Sequence, residues 1–196
     1  MSDMITKQIA FFDAEYTADS AKDRGQQEMI QCALLVFDAT FSTNKQITSI
    51  NSQPNLIYQT FVRPTINKRL SEYIRDLTGI KQQQVDDGVS IQEALLDIAN
   101  ILRSLKIKKI LTWGPDWKLL KDNCKLIGCC NKDAKRLLRG LDDVSMIISQ
   151  ELGFEHAISQ HKACELLDIK EDGRLHDAYD DAMNLYKVLT KMIEKK

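Results

Sequence analysis

Two carboxylates stand at the end of an apolar stretch near the start of the chain, in residues 10–17, AFFDAEYT. In a β-strand, side chains two positions apart lie on the same face. Asp13 and Glu15 are therefore expected to lie side by side, in line with Phe11 and Ile9. An Asp-x-Glu pair alone more often marks a solvated strand end, but here both acids continue an apolar face, which favours a functional pair.

A third acid, Asp116, begins a predicted helix that follows a second buried strand, in residues 112–120, TWGPDWKLL. At about 100° per residue, Asp116 heads the apolar stripe of this helix, whereas Asp122 faces water. A carboxylate at this place can stabilise the helix N-terminus or join the first two acids. The residue by itself leaves both interpretations open.

The third candidate region is residues 174–189, RLHDAYDDAMNLYKVL, which predict a helix with an apolar stripe. Asp181 flanks that stripe, whereas Asp180 lies on the opposite side and is predicted to be solvated. Asp177 is a natural N-cap residue for this helix. His176 precedes the helix in a loop, where a single histidine is more often structural than catalytic.

These acids indicate a particular chemistry if their elements bring them together. Like charges about 4 Å apart repel by about 4 kcal/mol at an effective dielectric of 20, so such a cluster requires cations. Oxygen ligands suit Mg²⁺ or Mn²⁺ rather than zinc or copper. Two such ions about 3.5–4 Å apart form the clamp used for displacement at phosphorus by water.

The elements that must position these residues are predicted from hydrophobic periodicity and from turn and cap signals. Strand patterns come first, a strand–helix alternation follows, and a hairpin connection is expected in the polar stretch 39–55, so an α/β or α+β layer with a mixed sheet is indicated. The predicted strands are 7–13, 28–38, 56–63, 107–113 and a short one near 136–142. The predicted helices are 70–77, stopped by Gly79, then one capped by Ser90 with Glu93, then 115–127, 143–152, 159–167 and 177–194.

Composition narrows the class of protein. The chain has 196 residues and a formal net charge of -1, which fits a globular chain and does not point to nucleic acid by bulk charge. Five cysteines, an odd number without a C-x-x-C pair, favour free thiols in a reducing cytosol. Neither a signal peptide nor an apolar run long enough to cross a membrane is present in the sequence. We therefore expect a soluble, cytoplasmic protein without a membrane partner.

The order of the candidate residues resembles a known family. Asp13-x-Glu15, then Asp116, then His176-x₄-Asp181 resemble the three motifs of the DEDDh group of DnaQ-like 3′–5′ exonucleases. Three further short segments resemble sequences of the branch that includes the 3′ histone mRNA exonuclease and its bacterial relatives. They are FVRP (61–64), LTGI (77–80) and TWG (112–114). The resemblance implies an α/β, ribonuclease H-like fold with a five-stranded mixed sheet flanked by helices. It also implies one exonuclease domain over 1–196, with a core of about 7–192.

The resemblance further implies a role for each motif residue. Asp13, Glu15 and Asp181 would hold one Mg²⁺ or Mn²⁺ ion, and Asp13 and Asp116 would help to hold a second. His176 would act as the general base that deprotonates the attacking water, because an imidazole titrates near neutral pH. The substrate would be the free 3′ end of a single-stranded nucleic acid, RNA favoured over DNA. Nucleoside 5′-monophosphates would be released stepwise.

Other residues carry weaker expectations. Thr17 and Leu77 match family positions that line the 3′-terminal nucleotide. Tyr179 departs from the small or aliphatic residues common in the third motif. A half-exposed position is the simpler interpretation, and stacking on a base is the alternative. Basic side chains could follow the nucleic-acid backbone, although a solvated helix face is the simpler interpretation. They are Lys118, Lys121, Lys125, Lys132, Lys135, Arg136 and Arg139.

Three other functions would share part of this pattern. A DNA-directed proofreading-type exonuclease stays open, because the choice of sugar depends on contacts to the 2′-OH that the sequence does not reveal. A non-catalytic binding module on the same fold predicts the loss of at least one motif residue, and all five are present. A metal-dependent HD phosphohydrolase needs a largely helical chain and more histidines. Only His156 and His161 occur besides His176.

Overall fold

The computed structural model describes residues 4–20, 26–171 and 173–195. Their strands form a mixed sheet in the order β3-β2-β1-β5-β6, with β4 paired to β2. Strand β1 pairs antiparallel with β2, whereas β1 with β5 and β5 with β6 are parallel. The strands are β1 (Ile5–Tyr16), β2 (Met29–Phe41), β3 (Ile47–Ile50), β4 (Leu56–Phe61), β5 (Ile110–Thr112) and β6 (Leu141–Asp143).

The predicted α/β class with a mixed sheet is confirmed, but the sheet of the described residues has six strands rather than five. The extra strand arises at one edge. Strands β3 and β4 pair with different parts of β2, at Ala39–Phe41 and Gln31–Val36. The stretch between them contains Pro54, which has no backbone N–H for a ladder. The sheet therefore keeps five positions across, one of them shared by two short strands.

Helices cover both faces of the sheet, and several begin and end where the sequence predicts. Ser90 accepts from the backbone N–H of Glu93 in a capping box. Gly79 ends a helix in the left-handed conformation at φ 72°. The helices are α1 (Glu72–Thr78), α2 (Gln82–Asp86), α3 (Ile91–Ser104), α4 (Asp116–Leu126), α5 (Lys132–Gly140), α6 (Ser145–Glu151), α7 (Gln160–Leu166) and α8 (Ala178–Glu194).

The short strand predicted near 136–142 is wrong for most of its length. Residues 132–140 form α5, because Asn131 accepts from two backbone N–H groups at its start, and Ala134 and Leu137 are buried at helical spacing. Only β6 is extended, and its Leu141 pairs with Ile110. Helix α2 was also not predicted, since five polar-rich residues give no periodic signal.

Strand β1 separates two apolar layers. Ala10 and Phe12 pack in the layer that includes α3, α4 and α5. Ile9 and Phe11 pack in the layer of α6, α7 and α8, where Phe11 meets the ring of Tyr186 edge-on at 5.8 Å between centroids. Because faces alternate along a strand, residues 13 and 15 continue the α8 side. Among the described residues, the helices are too short or too polar to cross a membrane.

Candidate active site

Strand β1 delivers the first two acids beyond the end of its neighbour. The ladder between β1 and β5 joins Ala10 to Ile110 and Phe11 to Leu111. Asp13 and Glu15 follow on the same face, so they lie past this ladder, at the carboxyl end of β5. Asp13 is half-buried and Glu15 is only 9% exposed. A rigid central strand thus holds two carboxylates where the α8 layer ends.

The loop after β5 turns Asp116 inward. Asp116 is the first residue of α4 and is 7% exposed, and the buried side of that helix continues with Leu120 and Cys124. Asp143, at the end of β6, accepts hydrogen bonds of 2.9 Å from the backbone N–H groups of Gly114 and Ser145. These bonds join the loops after β5 and β6, so the start of α4 is held from two sides.

The start of α8 delivers Asp181 and His176. Asp177 caps the helix by accepting from the backbone N–H groups of Tyr179 and Asp180. His176 adopts a left-handed backbone at φ 63°, and its N–H donates to the carboxylate of Asp181 over 3.1 Å. The backbone turn and the acid one helical turn later therefore hold each other in place.

Asp180 differs from its prediction as a solvated side chain. It is half-buried, and its carboxylate accepts from the backbone N–H of Arg174 over 2.8 Å. Gly173, at φ 70°, leaves room for that carboxylate, since a Cβ there would collide with it. Asp180 thus stabilises the loop that carries His176, while Asp181 is the acid that this helix turns inward.

These elements bring the candidate residues together. One ligand atom each of Glu15, His176 and Asp181 lies within 4.8 Å of the others. Burial, and after it the charge of neighbouring acids, raises the pKa of Asp13 well above its ordinary value. Those neighbours are Asp116, Glu15, Asp181 and Asp177. Asp13 therefore lies within electrostatic reach of the three other acids that are candidate metal ligands, and of Asp177.

The other three acids respond in the same way. Burial, and then the charge of Asp181, raises the pKa of Glu15 to about 8. Burial followed by the charge of Asp143 raises the pKa of Asp116 to about 8. Burial raises the pKa of Asp181 to about 7, although the His176 N–H opposes the shift. At neutral pH the group would carry less negative charge than its four carboxylates imply, unless a cation were bound.

His176 is perturbed in the opposite sense. Desolvation of the imidazole, and after it the positive charge of Arg174, lowers its pKa. The Arg174 guanidinium donates to the carbonyl oxygens of Asp76 over 2.6 Å and Leu77 over 3.4 Å. This side chain therefore ties the His176 loop to the end of α1 and favours a neutral imidazole.

The residues present fit a hard divalent cation. Carboxylate oxygens from β1 and α8 converge with one imidazole, and the charge of Asp116 on α4 acts on Asp13. Carboxylates are the protein ligands that Mg²⁺ and Mn²⁺ prefer. The raised pKa values have the same origin, because buried acids without a counter-cation destabilise one another. A bound cation would remove this repulsion and keep the acids ionised.

Gln31 is a candidate positioning residue that the sequence did not reveal. It is fully buried on β2, directly opposite Glu15. Its side-chain amide donates to Asp177 over 2.8 Å, and its carbonyl oxygen accepts from the Ala178 N–H over 3.2 Å. It thus joins the sheet to the first turn of α8. In the sequence, Gln31 is distinguished only as a polar residue inside the apolar run 28–38. That position does not identify its hydrogen-bond partners, which depend on the strand register.

The two residues expected to line a terminal nucleotide have structural contacts. The hydroxyl of Thr17 is buried and accepts from the backbone N–H of Glu28 over 2.9 Å. Leu77 packs beside the small cluster that includes Ile74 and Val85. Thr17 also lines a cavity of about 260 Å³ together with Arg69 and other residues. The nucleotide-lining role of both residues stays a prediction.

The basic residues near the second motif are exposed or bonded to the protein. Lys121 lies 6.0 Å from the centroid of the Trp117 ring, and Lys125 pairs with Asp122 over 3.5 Å. In α5, Arg136 donates to the Leu102 carbonyl over 3.3 Å. Tyr179 is half-buried against the α8 layer, as predicted. Neither the basic residues nor Tyr179 lies in the acid group itself.

The chain is similar in sequence and in fold to known exonucleases. The family model described as exonuclease (RNase_T) matches residues 10–189. The chain is 26% identical to the probable 3′–5′ exonuclease KapD of Bacillus subtilis strain 168, over 98% of this chain and 87% of that protein. It is 28% identical to 3′–5′ exoribonuclease 1 of Mus musculus, over 70% of this chain but only 41% of the relative. In fold it is similar to the nuclease domain of 3′hExo, a DEDDh family member, bound to rAMP; the TM-score is 0.74 at 23% identity, over 96% of this chain and 92% of that one.

Proposed function

Since this chain belongs to the exonuclease (RNase_T) family and is an enzyme with 3′–5′ exonuclease relatives, we propose a specific activity for it. It removes nucleoside 5′-monophosphates stepwise from the free 3′ end of single-stranded nucleic acid, with RNA favoured over DNA. The reaction depends on two divalent ions, Mg²⁺ or Mn²⁺. The proposed exonuclease domain has its core at about residues 7–192, and the family match over 10–189 supports this extent.

One observation carries the proposal. The ligand atoms of Glu15, His176 and Asp181 converge within 4.8 Å although they come from opposite ends of the chain. The charge of Asp116 raises the pKa of Asp13, so these two acids lie within electrostatic reach of each other. A purely structural role does not explain a group of acids whose mutual charge opposes folding. Binding of cations, with phosphodiester hydrolysis as the outcome, explains it.

The residues would hold two ions in the way that the family motifs imply. Asp13, Glu15 and Asp181 are proposed to bind one ion, and Asp13 and Asp116 are proposed to contribute to the second. When bound, the ions would supply positive charge where the phosphodiester and its leaving oxygen gain negative charge. The fit rests on the carboxylate donors and on their raised pKa values.

The protein's own groups would do the remaining work. The His176 imidazole, kept neutral by a lowered pKa, would accept the proton of the attacking water. Asp181 and Asp180 would fix the turn that aims this ring, through the backbone N–H groups of His176 and Arg174. Gln31 would hold the first turn of α8 at a fixed distance from Glu15.

The preference for RNA rests on the relatives. The murine relative is named an exoribonuclease, and the similar nuclease domain was solved with rAMP, a ribonucleotide. A site for a DNA 3′ end would need the same acids, since the sugar is read by contacts to the 2′-OH. We also propose that the enzyme acts in the cytoplasm. All five cysteines are free thiols, which suits a reducing compartment.

The test uses 5′-labelled RNA and DNA oligonucleotides of equal sequence, incubated with Mn²⁺, with Mg²⁺ or with EDTA. We expect a ladder that shortens from the 3′ end, faster for RNA, and no cleavage in EDTA. Asp13→Ala and His176→Ala should each stop the ladder. Asp122→Ala is the matched control, because the side chain of Asp122 is exposed. Intact oligonucleotides in every metal would overturn the proposal, and equal rates on DNA would overturn the RNA preference.

A further inference from the structure

A second charged region lies at the opposite end of β1, and the function proposed above does not use it. A cleft of about 600 Å³ is lined there by five lysines and, among the described residues, by no acid. We call it the lysine cleft; its lysines are Lys7, Lys45, Lys106, Lys108 and Lys109. Its apolar wall includes Ile9, Phe41 and Leu111.

Most of the charge in the lysine cleft is not neutralised by the protein. Lys109 pairs with Asp142 over 2.7 Å. The other four lysines form no ion pair with a residue that the structure describes. They are all exposed. Five cations brought together on a chain of net charge -1 create a local positive potential that attracts anions.

Two lysines of the cleft also have an unusual backbone conformation. Four non-glycine residues of the described chain have a positive φ, a conformation that is uncommon for residues other than Gly, Asn or Asp. Lys45 at 65° and Lys106 at 56° are two of them, and both line the cleft. A third is His176 in the candidate active site. Such conformations concentrate at functional sites, where the local cost is tolerated.

The position of the cleft sets a limit on what it binds. Lys7 precedes Asp13 by six positions on one strand, which corresponds to about 20 Å at about 3.3 Å per residue. A nucleotide held in the acid group therefore does not reach the lysines. A longer strand whose 3′ end lies in the acid group can reach them with a segment upstream of that end.

We propose that the lysine cleft binds the upstream backbone of single-stranded nucleic acid, as a second site remote from the site of cleavage. Phosphates would contact the lysines, and bases would lie on the apolar wall, where Phe41 offers a half-buried ring for stacking. Polyanion binding by lysines with an adjacent aromatic side chain is typical of sequence-independent strand binding. This inference rests on the proposed function, because it names where the same substrate makes further contacts.

The experiment measures binding rather than cleavage, so it does not depend on the nuclease reaction. The full chain in EDTA is titrated against a long, unstructured, fluorescent RNA and against a trinucleotide, at several salt concentrations. The test variant carries Lys7→Gln, Lys106→Gln and Lys108→Gln. The matched control carries Lys162→Gln, Lys191→Gln and Lys195→Gln, which remove three positive charges from α7 and the end of α8. Thermal melting verifies that both variants fold.

We expect the test variant to bind the long RNA about 100-fold more weakly at 0.1 M salt, since each phosphate contact to a single strand contributes a slope of about 0.7 in log K against log salt. The slope itself should fall by about 2. The test variant should bind the trinucleotide as tightly as the unmodified protein does. The control variant should bind the long RNA as tightly as the unmodified protein does. Equal affinity of the test variant and the unmodified protein for long RNA would overturn the inference. An equal loss in the control variant would also overturn it. If the unmodified protein cleaves no oligonucleotide but the test variant still loses binding of long RNA, the lysine cleft is a nucleic-acid site and the proposed exonuclease function is rejected.

Discussion

Strand β1 has acids beyond its carboxyl end and the lysine cleft at its amino end, and these two regions are built in different ways. At the acid end, Glu15 and Asp116 are buried, and Asp181 is tied to the backbone N–H of His176. At the other end, Lys7 and Lys108 are exposed and form no ion pair among the described residues. The first region confines like charges, whereas the second leaves them in water.

The difference shows what each region requires from the fold. Buried acids raise one another's pKa, so hydrogen bonds such as those of Gln31 and Asp143 must hold the surrounding elements in place. Exposed lysines repel one another weakly, because water and salt screen them. A single substitution at the acid end is therefore expected to change cleavage or stability strongly. A single substitution in the lysine cleft is expected to change RNA affinity only slightly.

The largest effect is expected for a single acid. Asp13→Asn should lower the rate of RNA cleavage on the order of 10³-fold, or about 4 kcal/mol, because Asp13 is proposed to contact both ions. The same variant should melt at a higher temperature than the unmodified protein at pH 8 in EDTA, since one repelling charge is gone. Cleavage rates and thermal melts measure both effects. Asp122→Asn should change neither, and retention of a tenth of the activity by Asp13→Asn would contradict the proposed ligand role.

The second effect is a pH dependence of stability that arises at the acid end alone. The pKa values of Glu15 and Asp116 are raised to about 8 from 4.5 and 3.8. Without metal, the folded protein thus holds protons that the unfolded chain releases. The stability that these two groups contribute is fully present below about pH 4 and is lost as pH rises through about 8. We expect a loss on the order of 3 kcal/mol, or about 6–12 °C in melting temperature.

Melting curves in EDTA between pH 5 and pH 8.5 measure this loss. Mn²⁺ should restore stability most strongly at the alkaline end, because it binds the ionised acids of the folded state. Asp116→Asn should flatten the curve. The variant with three lysines replaced in the cleft should keep the slope of the unmodified protein. A melting temperature that rises with pH in EDTA is the opposite of what mutual repulsion predicts.

The third effect tests the hydrogen-bonded frame of the acid end. Gln31→Leu would leave the Oδ2 atom of Asp177 and the Ala178 N–H without their Gln31 partner, at a cost of about 1–3 kcal/mol in stability. It should also lower Mn²⁺ affinity and kcat by about 10–100-fold, as loss of groups that orient metal ligands does. Calorimetric titration separates this effect from simple destabilisation.

Gln59 provides the matched control for that substitution. It also donates to Asp177, but over 3.5 Å and from an exposed position. Gln59→Leu should therefore change stability by less than about 0.5 kcal/mol and leave Mn²⁺ affinity unchanged. If both glutamine variants bind Mn²⁺ as tightly as the unmodified protein, the first turn of α8 does not depend on Gln31.

The smallest effect is expected from one lysine of the cleft. Lys108→Gln should weaken binding of long RNA about fivefold at 0.1 M salt and not at all at 1 M, since one phosphate contact is lost. Lys191→Gln, on α8, should leave the affinity unchanged. Fluorescence anisotropy across a salt series resolves this difference. A loss above about 100-fold from this one substitution would show that the cleft is as sensitive as the acid end.

Much of the fold was predictable because the relevant signals are local. The apolar stripes of α4 and α8, the capping box at Ser90 and the stop at Gly79 all stand where the sequence places them. The errors fell where local signals are weak or ambiguous. Residues 132–140 form an amphipathic helix that is followed directly by the short strand β6, so the predicted strand near 136–142 began too early. At the sheet edge, the chain is divided near Pro54 into β3 and β4.

Local periodicity is enough to identify the candidate acids, since the period of one element sets the face on which Asp13, Asp116 and Asp181 lie. The distances between elements depend on how the chain packs, which no local period encodes. Strand register placed Gln31 opposite Glu15, and the loops after β5 and β6 brought Asp143 to the start of α4. The lysine cleft likewise formed from segments up to about a hundred residues apart, because only the pairing of strands determines which distant side chains share one surface.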